Sequence, residues 1–149
     1  MKCLYFDTAY LVKLYCHETG SEEIQKILKE NEGIASSTHA QGELASTLHR
    51  KVREKAGTHQ QMKIVLTQFH HDIEMGLVTL YPSTPEIFHR IETVYLKAPA
   101  EKFLRAADAL HLATASENNF SAIYSNDTHL LAAAPLFNLQ GINLLPPLS

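Results

Sequence analysis

The feature that most restricts how this chain can fold is a repeated alternation of short apolar runs with longer amphipathic stretches. Residues 3–6 form an apolar run that stops at Asp7-Thr8, the pattern of a buried strand followed by a helix N-cap. Similar short runs at 33–37, 77–81, 121–124 and 142–145 predict four more strands. The intervening segments predict helices over 8–15, 21–30, 38–55, 58–74, 85–96, 101–118 and 127–133. Ile24, Ile27 and Leu28 share one helical face, and Met62, Val65, Leu66, Phe69 and Ile73 form the apolar stripe of another. Thr38 is expected to cap the third helix, Gly57 to stop it, and Pro146-Pro147 to end the ordered structure. Strands alternating with helices predict an α/β sandwich with a short, mostly parallel central sheet and a large share of helix.

The chain has 149 residues and no internal repeat or linker, so residues 1–149 are read as a single domain. Its formal net charge of −3 excludes a strongly basic nucleic-acid binder. Cys3 and Cys16 do not stand at a familiar metal-ligand spacing and read as reduced thiols of a cytoplasmic protein. The first apolar run is cut short by Asp7, which argues against a signal peptide, and no run approaches the ~20 residues that cross a bilayer, so no membrane association is expected.

Four acids stand out. Asp7 and Asp127 each follow a strand and precede a helix, which suits an ordinary N-cap worth about 1 kcal/mol over alanine. The same positions are where parallel α/β sheets build their sites, and both acids fall at one sheet edge. Asp108, in Arg105-Ala106-Ala107-Asp108-Ala109-Leu110-His111-Leu112-Ala113, is expected mid-helix, where aspartate has poor propensity and no cap to make. Arg105 stands three residues before it, in reach of a weak surface pair. Glu43 lies one turn into the helix after the second strand, beside Gly42 and Ala45, small residues expected to permit close approach. Two carboxylates ~4 Å apart repel by roughly 4 kcal/mol at an effective dielectric near 20, so such a cluster must take up protons or bind a cation. Oxygen donors without His or Cys at ligand spacing point to Mg²⁺ or Mn²⁺ rather than zinc.

Taken in order, Asp7-Thr8-Ala9-Tyr10-Leu11-Val12-Lys13-Leu14-Tyr15, Glu43, Ala107-Asp108-Ala109-Leu110-His111-Leu112-Ala113-Thr114-Ala115 and Ser125-Asn126-Asp127 resemble the motifs of the PIN-domain nucleases, most closely the VapC-type toxins of toxin–antitoxin pairs. The resemblance implies a PIN-like α/β/α sandwich in which Asp7, Glu43, Asp108 and Asp127 hold Mg²⁺ or Mn²⁺ and support catalysis, with Thr8 and Ser125 assisting them. It further implies an endoribonuclease that leaves 5′-phosphate and 3′-hydroxyl ends, a cognate antitoxin and a homodimer. Thr128 and His129 depart from the pattern, since relatives often place a basic residue after the fourth acid.

Arg50, Lys51 and Arg53 form a basic stripe on the helix of Glu43, a candidate RNA-binding surface along with Lys13, although cations also suit a helix C-terminus on dipole grounds alone. Most of the nine histidines are read as surface residues. A haloacid-dehalogenase-like phosphatase needs a second acid where Ala9 stands, and a receiver domain needs a neighbouring acid pair that is absent. An RNA-processing nuclease without an antitoxin and a non-catalytic PIN-like binding module remain as alternatives.

Overall fold

The computed structural model describes residues 3–145, so Pro146-Pro147 lies outside the described residues. The strands are β1 (Cys3–Tyr5), β2 (Gly33–Ser37), β3 (Val78–Tyr81), β4 (Ala122–Tyr124) and β5 (Gln140–Ile142). The helices are α1 (Thr8–Tyr15), α2 (Ser21–Lys29), α3 (His39–Arg53), α4 (His59–Glu74), α5 (Pro85–Lys97), α6 (Ala106–Glu117) and α7 (Thr128–Ala133), with a 3₁₀ turn at Ala134–Phe137.

All pairings among the described strands are parallel: β1 with β2, β2 with β3, and β4 with β5. A bridge between Phe6 and Tyr124, reinforced by the Asp7 N–H donating to the Tyr124 carbonyl at 3.1 Å, joins the two ladders in the spatial order β3-β2-β1-β4-β5. Because side chains alternate along a strand, the sheet sorts its residues between two layers. Leu4, Phe6 and Ile34 pack with Tyr10, Leu11 and Ile24 of α1 and α2. Val78 and Leu80 continue that layer against Leu44 and Leu48 of α3 and Phe69 of α4. Tyr5, Ala35 and Ile123 face the other way, toward Ile87 and Val94 of α5, Leu112 of α6 and Leu130 of α7. The expected α/β/α sandwich is therefore present.

Several boundaries differ from the sequence reading. Thr38 has helical backbone angles and makes no cap bond; the Ser37 hydroxyl instead accepts from the His39 N–H at 3.2 Å. Gly57 does not terminate α3, which ends at Arg53, and Lys55 takes the left-handed conformation at φ 60°. Thr58 and Gln61 do form a reciprocal capping box at the start of α4.

The helix expected from 101 begins at Ala106. Pro99 holds Ala98 extended (ψ 140°), a turn closes from Lys102 to Pro99, and Arg105 is itself extended at ψ 152°. Asp108 consequently stands in the first turn of α6, where a carboxylate suits the helix dipole, and not in mid-helix. The last strand also starts earlier than 142–145, because its register is set by Gln140 opposite Ala122. There a Cβ on Gly141 would lie 2.9 Å from the Leu131 side chain and 3.1 Å from its backbone, so glycine allows α7 to close onto β5.

Candidate functional site

The carboxyl ends of β1 and β4 are neighbours, so the residues that follow them emerge together. Asp7 and Asp127 are both N-caps, and both also face one open cleft of about 770 Å³. Capping a helix does not withdraw either carboxyl from the cleft. Asp108 reaches the cleft from α6 and Glu43 from α3, so the four acids singled out by sequence share its walls.

Asp7 is only 5% exposed. Its Oδ1 accepts the Tyr10 N–H at 3.0 Å and its Oδ2 accepts the Ser125 hydroxyl at 2.5 Å. Burial drives its pKa up to about 7, with the charges of Asp108 and Asp127 adding to the rise and the two hydrogen bonds opposing it. Burial likewise raises Asp108, more than its Arg105 partner lowers it.

Arg105 joins two of the acids. Its Nε donates to Asp108 Oδ2 at 3.1 Å and its Nη2 to Asp127 Oδ2 at 2.8 Å. The sequence spacing points only to the Asp108 pair; the reach to Asp127 depends on α6 and α7 starting beside one another. A guanidinium thus lies where a cation would relieve the same repulsion. Oxygen-only donors, a buried carboxyl driven up in pKa and an exposed, displaceable cation together fit a hard divalent ion at Asp7, Asp108 and Asp127, with Glu43 alongside.

Glu43 has a distinct environment. Its Oε1 accepts the Thr8 hydroxyl at 2.7 Å and lies 3.3 Å from His111 Nε2 and 3.1 Å from His39 Nε2. Burial would raise its pKa, but these contacts with His111, His39 and Thr8 hold it well below the usual carboxylate range. Burial lowers the His111 pKa to about 4, so at neutral pH Glu43 is a carboxylate beside a neutral imidazole. The close approach expected from Gly42 is not used, since a Cβ there meets nothing within 4 Å.

Thr8 and Ser125 touch the acids, Thr8 on Glu43 and Ser125 on Asp7. Lys13, Arg50 and Lys51 line the cleft, whereas Arg53 is exposed outside its lining. Glu18 gathers two of these cations, accepting from Lys13 Nζ and Lys51 Nζ at 3.1 Å each. His129 packs on Phe103 with ring centroids 4.6 Å apart and takes no part in the lining.

The surface reading holds for seven of the nine histidines, His70 and His71 among them, and fails for His39 and His111. His111 is buried at 2% exposure, and His39 meets it with ring centroids 4.1 Å apart. The expectation that no histidine stands at ligand spacing beside the acids is therefore corrected: His39 and Glu43 are i,i+4 neighbours on α3. That spacing is the signal in the sequence for His39, whereas His111 joins them only through the packing of α6.

A family model described as the PIN domain matches residues 4–135. No curated protein matches significantly. Among solved structures, VapC20 of Mycobacterium tuberculosis, a sarcin-ricin loop cleaving toxin, superposes with a TM-score of 0.67 at 15% identity, covering 87% of this chain and 94% of that one. VapBC2 of Rickettsia felis, bound to a promoter DNA fragment, gives 0.66 at 16% identity over 95% of this chain and 98% of the other. FitAcB of Neisseria gonorrhoeae gives 0.69 at 15% identity over 95% and 97%. With 4–135 matched and the sandwich shared, this chain belongs to the PIN-domain family.

Proposed function

We propose that this chain is a divalent-metal-dependent endoribonuclease and the toxin of a type II toxin–antitoxin pair. The observation that carries the reading is the convergence of Asp7, Glu43, Asp108 and Asp127 on one cleft whose rim also bears Lys13, Arg50 and Lys51. Family membership supports phosphodiester hydrolysis, and VapC20, a toxin of similar fold, supports the biological role.

Asp7, Asp108 and Asp127 would hold Mg²⁺ or Mn²⁺, with Glu43 beside them. Bound there, the ion supplies a Lewis acid for phosphodiester hydrolysis. The protein provides the rest. Tyr10 N–H and Ser125 O–H fix the Asp7 carboxyl, so it is presented without searching rotamers. Without metal Asp7 holds a proton up to near neutrality, which a bound cation would displace, while Glu43 stays ionised. Thr8 orients Glu43 and sits directly after Asp7, tying the two together. Lys13, Arg50 and Lys51 attract the RNA backbone and neutralise phosphates beside the acids. Arg105, with its side chain 58% exposed, is free to turn from the acids toward a phosphate. Phe88, Tyr95 and Leu96 on α5 supply exposed apolar surface for a homodimer or for the antitoxin.

The test is incubation of pure protein with total RNA, with Mg²⁺, Mn²⁺ or EDTA, followed by end-group analysis. Cleavage with either metal, its loss in EDTA, and 5′-phosphate products are expected. An Asp108→Asn protein with full activity, or cleavage undiminished by EDTA, refutes the reading. Coexpression with a neighbouring small gene, restoring growth, tests the toxin role.

A further inference from the structure

The acids are not the only residues of metal-binding type at this cleft. We propose that His39, Glu43 and His111 form a second metal site, adjoining the first through Glu43 and selective for a borderline transition ion such as Zn²⁺ or Co²⁺. This inference does not require the chain to be a nuclease.

The geometry is that of three converging donors. His39, Glu43 and His111 each offer one donor atom within 4.8 Å of the others, and the two Nε2 nitrogens lie 3.1 and 3.3 Å from Glu43 Oε1. Ligands about 2.0–2.2 Å from a tetrahedral zinc are themselves about 3.3 Å apart, so small side-chain adjustments close the triangle. Three protein donors leave a fourth position for water.

The outer contacts are those a histidine ligand needs. His111 Nδ1 is bonded to the Tyr5 hydroxyl at 3.1 Å, and His39 Nδ1 to the Ser37 hydroxyl. With each Nδ1 engaged, each ring presents Nε2 to the same carboxylate oxygen. Tyr5 and Ser37 are both completely buried, so these orienting bonds are part of the core. A purely structural role accounts for His111, whose Nε2 also meets the Thr8 hydroxyl at 3.0 Å. It does not account for His39, whose Nε2 is shut off from solvent and makes no hydrogen bond among the described residues although Glu43 Oε1 lies 3.1 Å away. A metal ion would use that nitrogen.

The chemistry separates the two sites. Three carboxylates at Asp7, Asp108 and Asp127 offer oxygen alone, which suits Mg²⁺. Two imidazoles and one carboxylate favour the later first-row ions, whose affinity for nitrogen exceeds that of Mn²⁺. Glu43 stands between the sets and is shared by both.

Cobalt titration of the intact protein, read by its visible d–d absorption and by thermal melting, tests the site. The wild type is expected to bind Co²⁺ with the intense bands of a low-coordinate, nitrogen-containing site, apart from any weakly absorbing ion at the carboxylates. Asp108→Asn/Asp127→Asn is expected to keep those bands. His39→Gln, at a half-buried position that leaves the His111 contacts intact, is expected to lose at least tenfold in Co²⁺ affinity while melting as wild type does without metal. Unchanged bands and affinity in His39→Gln overturn the proposal, as does their loss in the double aspartate variant. Zinc X-ray absorption on wild type gives an independent reading: two imidazoles per ion support the site, and none refutes it. A failed RNA-cleavage assay leaves every one of these outcomes interpretable.

Discussion

Asp7→Asn swaps a buried carboxyl for a neutral group of nearly the same shape, and its consequences can be worked through. Asparagine is as good an N-cap as aspartate, so the bond from the Tyr10 N–H is retained, and its amide can donate to the Ser125 oxygen. What is lost is the charge. A carboxyl raised from 3.8 to about 7 disfavours the folded state by on the order of 4 kcal/mol once both folded and unfolded forms are ionised. The sign follows from proton binding: between 3.8 and about 7 the folded chain holds a proton that the unfolded chain has released. Stability is therefore fullest below 3.8 and is lost as pH rises through about 7. Burying the extra amide dipole offsets roughly half of the gain. In EDTA at pH 8.5, Asp7→Asn is expected to melt roughly 4–8 °C above wild type; at pH 4, where the charge cost is gone and the amide cost remains, the order reverses by a similar amount. Mn²⁺ at about a hundred times its Kd restores roughly 2.7 kcal/mol to wild type and far less to the variant. The assay is thermal melting by circular dichroism from pH 4 to 9, with and without Mn²⁺. A variant that melts at or below wild type at pH 8.5 in EDTA refutes the burial argument. The same variant is expected to have no nuclease activity, which separates the stability of the site from its use.

Three further outcomes are expected. Arg105→Gln removes a guanidinium that competes with a bound cation, so Mn²⁺ affinity measured by calorimetry rises roughly two- to fivefold; weaker binding would mean that Arg105 supports the metal. Arg50→Ala/Lys51→Ala lowers RNA affinity and flattens the plot of log K against log salt by roughly 0.7 for each phosphate no longer neutralised, whereas an unchanged slope places those cations off the RNA path. Leu44→Ala, under Glu43 in the fully buried part of α3, costs about 2–5 kcal/mol in urea unfolding, and a loss below 1 kcal/mol would contradict its burial.

The sequence is most readable where local pattern and topology agree. Asp7 and Ser125-Asn126-Asp127 follow short apolar strands, and a parallel sheet sends such residues to one edge whatever the remaining packing. Thr8 and Ser125 are legible through the family resemblance, which matches both hydroxyl positions. Asp108 does reach the cleft, but the sequence argument for it is incomplete: Pro99 and the extended Arg105 move the helix start, making it a first-turn acid rather than an anomaly inside a helix. His111 is hidden because nothing local separates a core histidine from a surface one in an alanine-rich helix. Its meeting with His39 requires α3 and α6 to approach across the end of the sheet. The second bond of Arg105 is hidden likewise, since the partner 22 residues away depends on where α7 begins.

The guanidinium of Arg105 carries one more implication. A cluster of acids normally leaves a newly made chain dependent on an ion from solution before it can settle. Here Asp108 and Asp127 share an internal cation and Asp7 can hold a proton. The chain thus brings its own placeholder, so it can be made and kept in the metal-starved form. On the proposed metal-dependent reading, synthesis and activation would be separable events, with divalent-ion supply governing the second alone.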